Sequence, residues 1–162
     1  MMNAFKSLFV SALLILTTSS AFALDAFPKG PDATLTPGAL CSHPDERRYP
    51  ENIAYCDRNV DSSVKGEIFM AYDQIGYRTR SMRRQDFKID HYFPLCMGGS
   101  NEKTNLWPQH KSVYEITDPL EQKICDKMAE GVLLQKDAIE IVKKAKADLS
   151  TVDGYMEQLD NL

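Results

Sequence analysis

Apolar residues change their spacing several times along this chain, and each change predicts a different element. An apolar core from Leu8 to Leu16 follows Lys6 and precedes small residues around Ala21, Phe22 and Ala23. That order is the pattern of a secretory signal peptide over residues 1–23, cut after Ala23. The apolar run is shorter than the roughly 20 residues that cross a bilayer, so the remaining chain is expected to be exported and free of the membrane. Pro28, Gly30, Pro31, Pro37 and Gly38 then interrupt any long element, which predicts an extended lead-in. Ile53, Ala54, Tyr55 and Cys56 form a short apolar run that reads as a strand or a buried turn.

Helical spacing begins at Val64 and recurs at Ile68, Tyr72 and Ile75, after possible caps at Asp61, Ser62 and Ser63 and before Gly76. This predicts a helix over residues 63–75. Further on, Asp118 offers a cap, Pro119 a first helical position and Glu121 a third. Leu120, Ile124, Cys125 and Met128 share one face there, and Gly131 supplies the stop. A last helix is expected over residues 136–149, with Ala138, Ile139, Val142 and Ala145 inward and Lys143, Lys144 and Lys146 outward. Residues from Ser150 onward are weakly patterned, and no internal repeat is visible.

Composition narrows the picture. Residues 24–162 suit one domain with its own core. Losing Lys6 takes the formal net charge from -4 to -5, with 18 cations against 23 acids, so any attraction to a polyanion must come from a local patch. Four cysteines, Cys41, Cys56, Cys96 and Cys125, lie in the exported part and read as two disulfides. Of three pairings, Cys41 with Cys56 and Cys96 with Cys125 is favoured. The first two are close in sequence, and the second bridge would tie a loop to a following helix. No close cysteine pairs of the zinc-ribbon kind are present.

One local patch is available. Residues 77–88, YRTRSMRRQDFK, place Arg78, Arg80, Arg83, Arg84 and Lys88 against the single acid Asp86. Guanidinium groups bind phosphate as a two-pronged fork, so the run is a candidate nucleic-acid contact. It leads directly into residues 86–109, DFKIDHYFPLCMGGSNEKTNLWPQ, where Asp90 and His91 stand side by side. Phosphodiester hydrolysis needs a base for water, a cation for the scissile phosphate and contacts that align the backbone. An imidazole with an ordinary pKa of about 6.5 suits the base, and a carboxylate suits a hard cation. Neighbouring residues on a regular strand point to opposite faces. Pro94 and the turn at Gly98, Gly99, Ser100 and Asn101 imply that the chain leaves strand geometry after His91 and lets the two groups converge. Asn105, Leu106 and Trp107 would return as a second strand.

The stretch IDHYFPLCMGGSNEKTNLWPQ resembles the HNH endonuclease family of the His-Me finger, or ββα-metal, group. The longer run NLWPQHKSVYEITDPLEQKIC resembles exported bacterial members with an Asn-Leu-Trp-Pro variant. The resemblance implies an α+β fold with a small ββα-metal core over about residues 85–130, flanked by helices and stapled by disulfides. It implies His91 as general base, Asp90 as a metal ligand and Asn105 as the residue that holds the loop, with Leu106 and Trp107 mainly packing. The family's further ligand falls on the helix at Tyr114 or Glu115. Glu115 has the spacing and an oxygen donor, whereas His110 has the usual residue type, so both stay open as metal ligands.

The expected activity is a secreted or periplasmic metal-dependent endonuclease acting on DNA, with RNA as the alternative substrate, and with little sequence preference. Mg2+ is the expected cofactor, with Mn2+, Ca2+ and Zn2+ as alternatives. Two other roles are compatible: a non-catalytic exported binding protein on a degenerate HNH scaffold, and a nuclease toxin acting on other cells.

Overall fold

The computed structural model describes residues 25–162, so the signal-peptide reading of residues 1–23 lies outside the described residues. The lead-in is extended, as its prolines require, and it packs closely. Phe27 and Leu35 cover an apolar cluster, and residues 39–41 run beside the glycine turn, with the Cys41 N–H donating to Gly98 and the Ser100 N–H to Ala39. Strands β1, Glu46–Arg48, and β2, Ile53–Tyr55, form an antiparallel hairpin. The Cys41–Cys56 bridge fastens that hairpin to the lead-in.

Helix α1, Ser62–Gln74, starts where Asp61 accepts the Val64 N–H at 2.9 Å and ends before Gly76, whose φ is +113°. Ile68, Phe69 and Tyr72 bury its inner face. Strand β3, Phe87–His91, pairs antiparallel with β4, Leu106–His110, so that Asp90 lies opposite Trp107 and His91 opposite Leu106. Helix α2, Lys111–Ala129, follows β4 without a loop. The α+β expectation therefore holds, with two small two-stranded sheets.

Two expectations about the helices are corrected. Helix α2 begins at Lys111, with His110 as its cap, and Pro119 sits inside it. Proline removes one backbone bond and disfavours a helix interior by about 3 kcal/mol. Here Val113, Thr117, Leu120, Ile124 and Met128 form one continuous buried face, and packing that stripe outweighs the local penalty. The weakly patterned tail also becomes a helix. After α3, Gln135–Ala147, comes α4, Val152–Asp160, which buries Val152 and Leu159. Nine residues make a marginal helix alone; contact with α2 and α3 supplies what local propensity does not.

Two apolar clusters result. One lies between α1 and the β3–β4 hairpin, including Phe69, Phe87, Ile89 and Leu106. The other joins α2, α3 and α4 through Leu120, Ile124, Val142 and Leu159. The Cys96–Cys125 bridge ties the loop after β3 to α2. Both cysteine pairings are those favoured from the sequence. Among the described residues, no helix is long and apolar enough to cross a membrane.

Candidate active site

The loop between β3 and β4 is built around Asn105. Fully buried, it accepts the Phe93 N–H at 2.9 Å and donates to the carbonyls of Phe93 at 3.0 Å and Ser100 at 2.9 Å. One side chain thus closes both ends of the loop that follows His91. Gly99 allows the closure: a Cβ there would lie 1.7 Å from the Phe93 carbonyl oxygen. Such an approach is open only to glycine.

At the end of β3, His91 is only 3% exposed. Its Nε2 lies 3.1 Å from Asn101 Oδ1. The Asn101 amide is itself oriented, since Nδ2 donates to the Asp57 carbonyl at 2.7 Å and Oδ1 accepts the Asn59 N–H at 3.1 Å. Oδ1 can only accept from the ring, so His91 carries its proton on Nε2 and leaves the Nδ1 lone pair free. Burial pushes the imidazole pKa down to about 4, against a smaller upward pull from the Asn101 bond, while the Arg58 and Lys146 charges add to the fall and Asp90 opposes it. The ring is therefore neutral at neutral pH.

Regular pairing runs through His91, so Asp90 and His91 leave β3 on opposite faces. The convergence expected from a break in strand geometry is not how the site is made. Asp90 faces α2 and α3, and its Oδ2 makes no hydrogen bond although the residue is 9% exposed. Asp90, Asp118 and Glu121 bring one carboxylate oxygen each to within 4.8 Å of one another. Asp118 and Glu121 stand three residues apart on α2, on one side of the helix.

Two ammonium groups face these acids. Lys88 Nζ lies 2.8 Å from both Asp118 oxygens and 3.5 Å from Asp90 Oδ2. Lys146 Nζ lies 2.8 Å from Glu121 and 4.0 Å from Asp90, and it donates to the carbonyls of His91 at 2.7 Å and Tyr92 at 3.2 Å. Lys146 is 1% exposed, which corrects its outward assignment. Position 146 adjoins the buried face of α3, where the long apolar stem packs and the ammonium reaches the strand end. Burial raises the Glu121 pKa to about 7, offset in part by Lys146 and reinforced by Asp90.

The structure does not bring the other two expected ligands to Asp90. His110 pairs with Phe87, three positions along the hairpin from the Asp90–Trp107 pair, or roughly 10 Å at strand rise. It stacks on Phe27 with centroids 4.0 Å apart, and Nδ1 meets Ser112. Glu115 is exposed and lies outside the carboxylate cluster; its charge acts on His110 instead.

The basic run is divided in the same way. Arg80 pairs with Asp73 at 2.9 Å. Arg84 donates to the Phe87 carbonyl at 2.8 Å and lies over the Phe69 ring. Arg78 is held at its backbone, where the N–H meets Ala26. Arg83 is open, with a side chain 71% exposed and Asp86 3.9 Å away. Lys88 belongs to the acid cluster instead.

Asn101, Asp118, Glu121 and Lys146 were not singled out as site residues from the sequence. Starting α2 at Lys111 would have placed Tyr114, Asp118 and Glu121 on one face; reading Asp118 as a cap hid that signal. Asn101 was visible only as a turn residue, and no local pattern marks Lys146. No protein-family model, curated protein or solved structure matches this chain.

Proposed function

We propose that this chain is an exported, metal-dependent endonuclease of the HNH type, cleaving phosphodiester bonds in DNA or RNA with little sequence preference. The observation that carries the reading is His91: a buried, neutral imidazole, oriented through Nε2 by Asn101, at the end of a hairpin that runs into a helix bearing two carboxylates.

His91 would take the proton of the attacking water on Nδ1. Asn105 keeps the loop beside it closed. Asp90 and Asp118, with Glu121 adjacent, would hold the divalent cation: their oxygens suit Mg2+ or Mn2+, and Asp90 Oδ2 is buried without a hydrogen bond. When bound, the cation supplies charge stabilisation for the scissile phosphate and leaving oxygen. Arg83, with Arg78, Arg80 and Arg84 near it in the chain, would meet the backbone, and phosphate contacts carry no base information. Two disulfides fit an oxidising compartment, either periplasm or medium.

The test is cleavage of plasmid DNA and of single-stranded RNA by the signal-free, oxidised protein. Cleavage with Mg2+ or Mn2+ that stops in EDTA supports the reading; no cleavage under any divalent cation overturns it. A second reading, a non-catalytic exported binding protein on a degenerate HNH scaffold, is favoured by two observations. Asp90 and His91 leave β3 on opposite faces, and the carboxylate cluster already has counter-charges in Lys88 and Lys146.

A further inference from the structure

We propose that Lys88 is a built-in competitor for the cation position. Its ammonium seats between Asp118 and Asp90 in the free protein, and a divalent cation enters as that ammonium swings out. The inference rests on Asp90, Asp118 and Glu121 being a cation site.

The two lysines at the cluster differ in what holds them. Lys146 is buried, donates to two main-chain carbonyls and is ion-paired with Glu121. Moving it would strand those carbonyls inside the protein. Lys88 is tied only to carboxylates: 2.8 Å to each Asp118 oxygen and 3.5 Å to Asp90 Oδ2, the oxygen without a hydrogen bond. Its side chain is 35% exposed, and its ammonium lies 4.9 Å from the Tyr114 ring centroid, so an outward path is open.

Charge favours the exchange. Lys88 faces Asp90 and Asp118, and a dication in its place would meet the same two carboxylates with twice the charge. Lys88 also sits on the strand that carries Asp90, so it is tethered within reach of the position at all times. A tethered competitor weakens the apparent affinity for the cation.

The test is Mn2+ titration, followed by the electron paramagnetic resonance of the free ion, on the oxidised protein and on Lys88→Met, Lys88→Arg and Asp118→Asn. Lys88→Met is expected to bind Mn2+ about tenfold tighter or more, Lys88→Arg no tighter than wild type, and Asp118→Asn more weakly. Equal affinity in wild type and Lys88→Met overturns the competitor role and leaves the cation site standing. Absence of binding in every variant overturns both. Should Lys88→Met fail to fold by circular dichroism, amine labelling of wild-type Lys88 read by peptide mass spectrometry decides: faster labelling at saturating Mn2+ supports displacement, and unchanged labelling overturns it.

Discussion

Asn101 Oδ1 meets His91 Nε2 at 3.1 Å while the rest of the Asn101 amide is fixed by the backbone of Asp57 and Asn59. The proton position on the ring is therefore set by residues that precede α1, far from β3 in sequence. Asn101→Ala is expected to lower kcat by about tenfold or more with little change in KM, since orientation of the base and not substrate binding is lost. Nitrogen chemical shifts of His91 should move from one tautomer toward a mixture. An unchanged tautomer in Asn101→Ala would remove Asn101 from the mechanism.

Asn105 is the closure of the site loop, so its loss should appear in stability. Asn105→Ala leaves the Phe93 N–H and the Phe93 and Ser100 carbonyls without their partner. Each stranded buried group costs about 1–3 kcal/mol, and a loss of about 3 kcal/mol or more in urea unfolding of the oxidised protein is expected.

Lys146 holds the other side. Lys146→Ala leaves Glu121 buried without its counter-charge and removes the donor to His91 and Tyr92. Breaking a buried pair at one end costs about 3–5 kcal/mol. Lys143→Ala, three residues earlier and exposed, loses its pair with Glu140 and should unfold at the wild-type urea concentration, since exposed ion pairs contribute little. Urea unfolding of the two variants side by side checks the contrast.

The two perturbed groups give opposite pH signatures. His91 falls from 6.5 to about 4 in the fold, so between those values the unfolded chain binds the extra proton. Stability then rises with pH, by about 3 kcal/mol across the window. Glu121 rises from 4.5 to about 7, so the folded chain binds the extra proton and stability falls as pH increases through that range. The effects overlap in wild type, and the variants separate them. The stability advantage of wild type over His91→Asn should grow from pH 4 to 6.5, and its advantage over Glu121→Gln should shrink from pH 4.5 to 7. Unfolding free energies measured along pH for the three proteins check both signs.

The hairpin was legible from the sequence because its signals are local: Gly98 and Gly99 mark a turn, and Asn105 to Trp107 mark a returning strand. Helix α1 was legible for the same reason, with Asp61 as cap and Gly76 as stop. The carboxylate cluster was not. Pro119 carries a strong local message for a helix start, and the buried stripe from Val113 to Met128 overrides it only through tertiary packing. A helix start at Pro119 makes Asp118 read as a cap, while Glu115 and His110 are favoured by the spacing and the residue type that the HNH resemblance implies. Lys146 and the helix over Val152–Asp160 depend on contacts among α2, α3 and α4, which no window of sequence contains.

The central claim is that His91 activates water for phosphodiester cleavage. Its most direct measurement is the rate of plasmid nicking by the oxidised protein in Mg2+ or Mn2+, compared with that of a folded His91→Ala. The account predicts a loss of about 100- to 10,000-fold with Mn2+ binding retained. Cleavage by His91→Ala at the wild-type rate would contradict it.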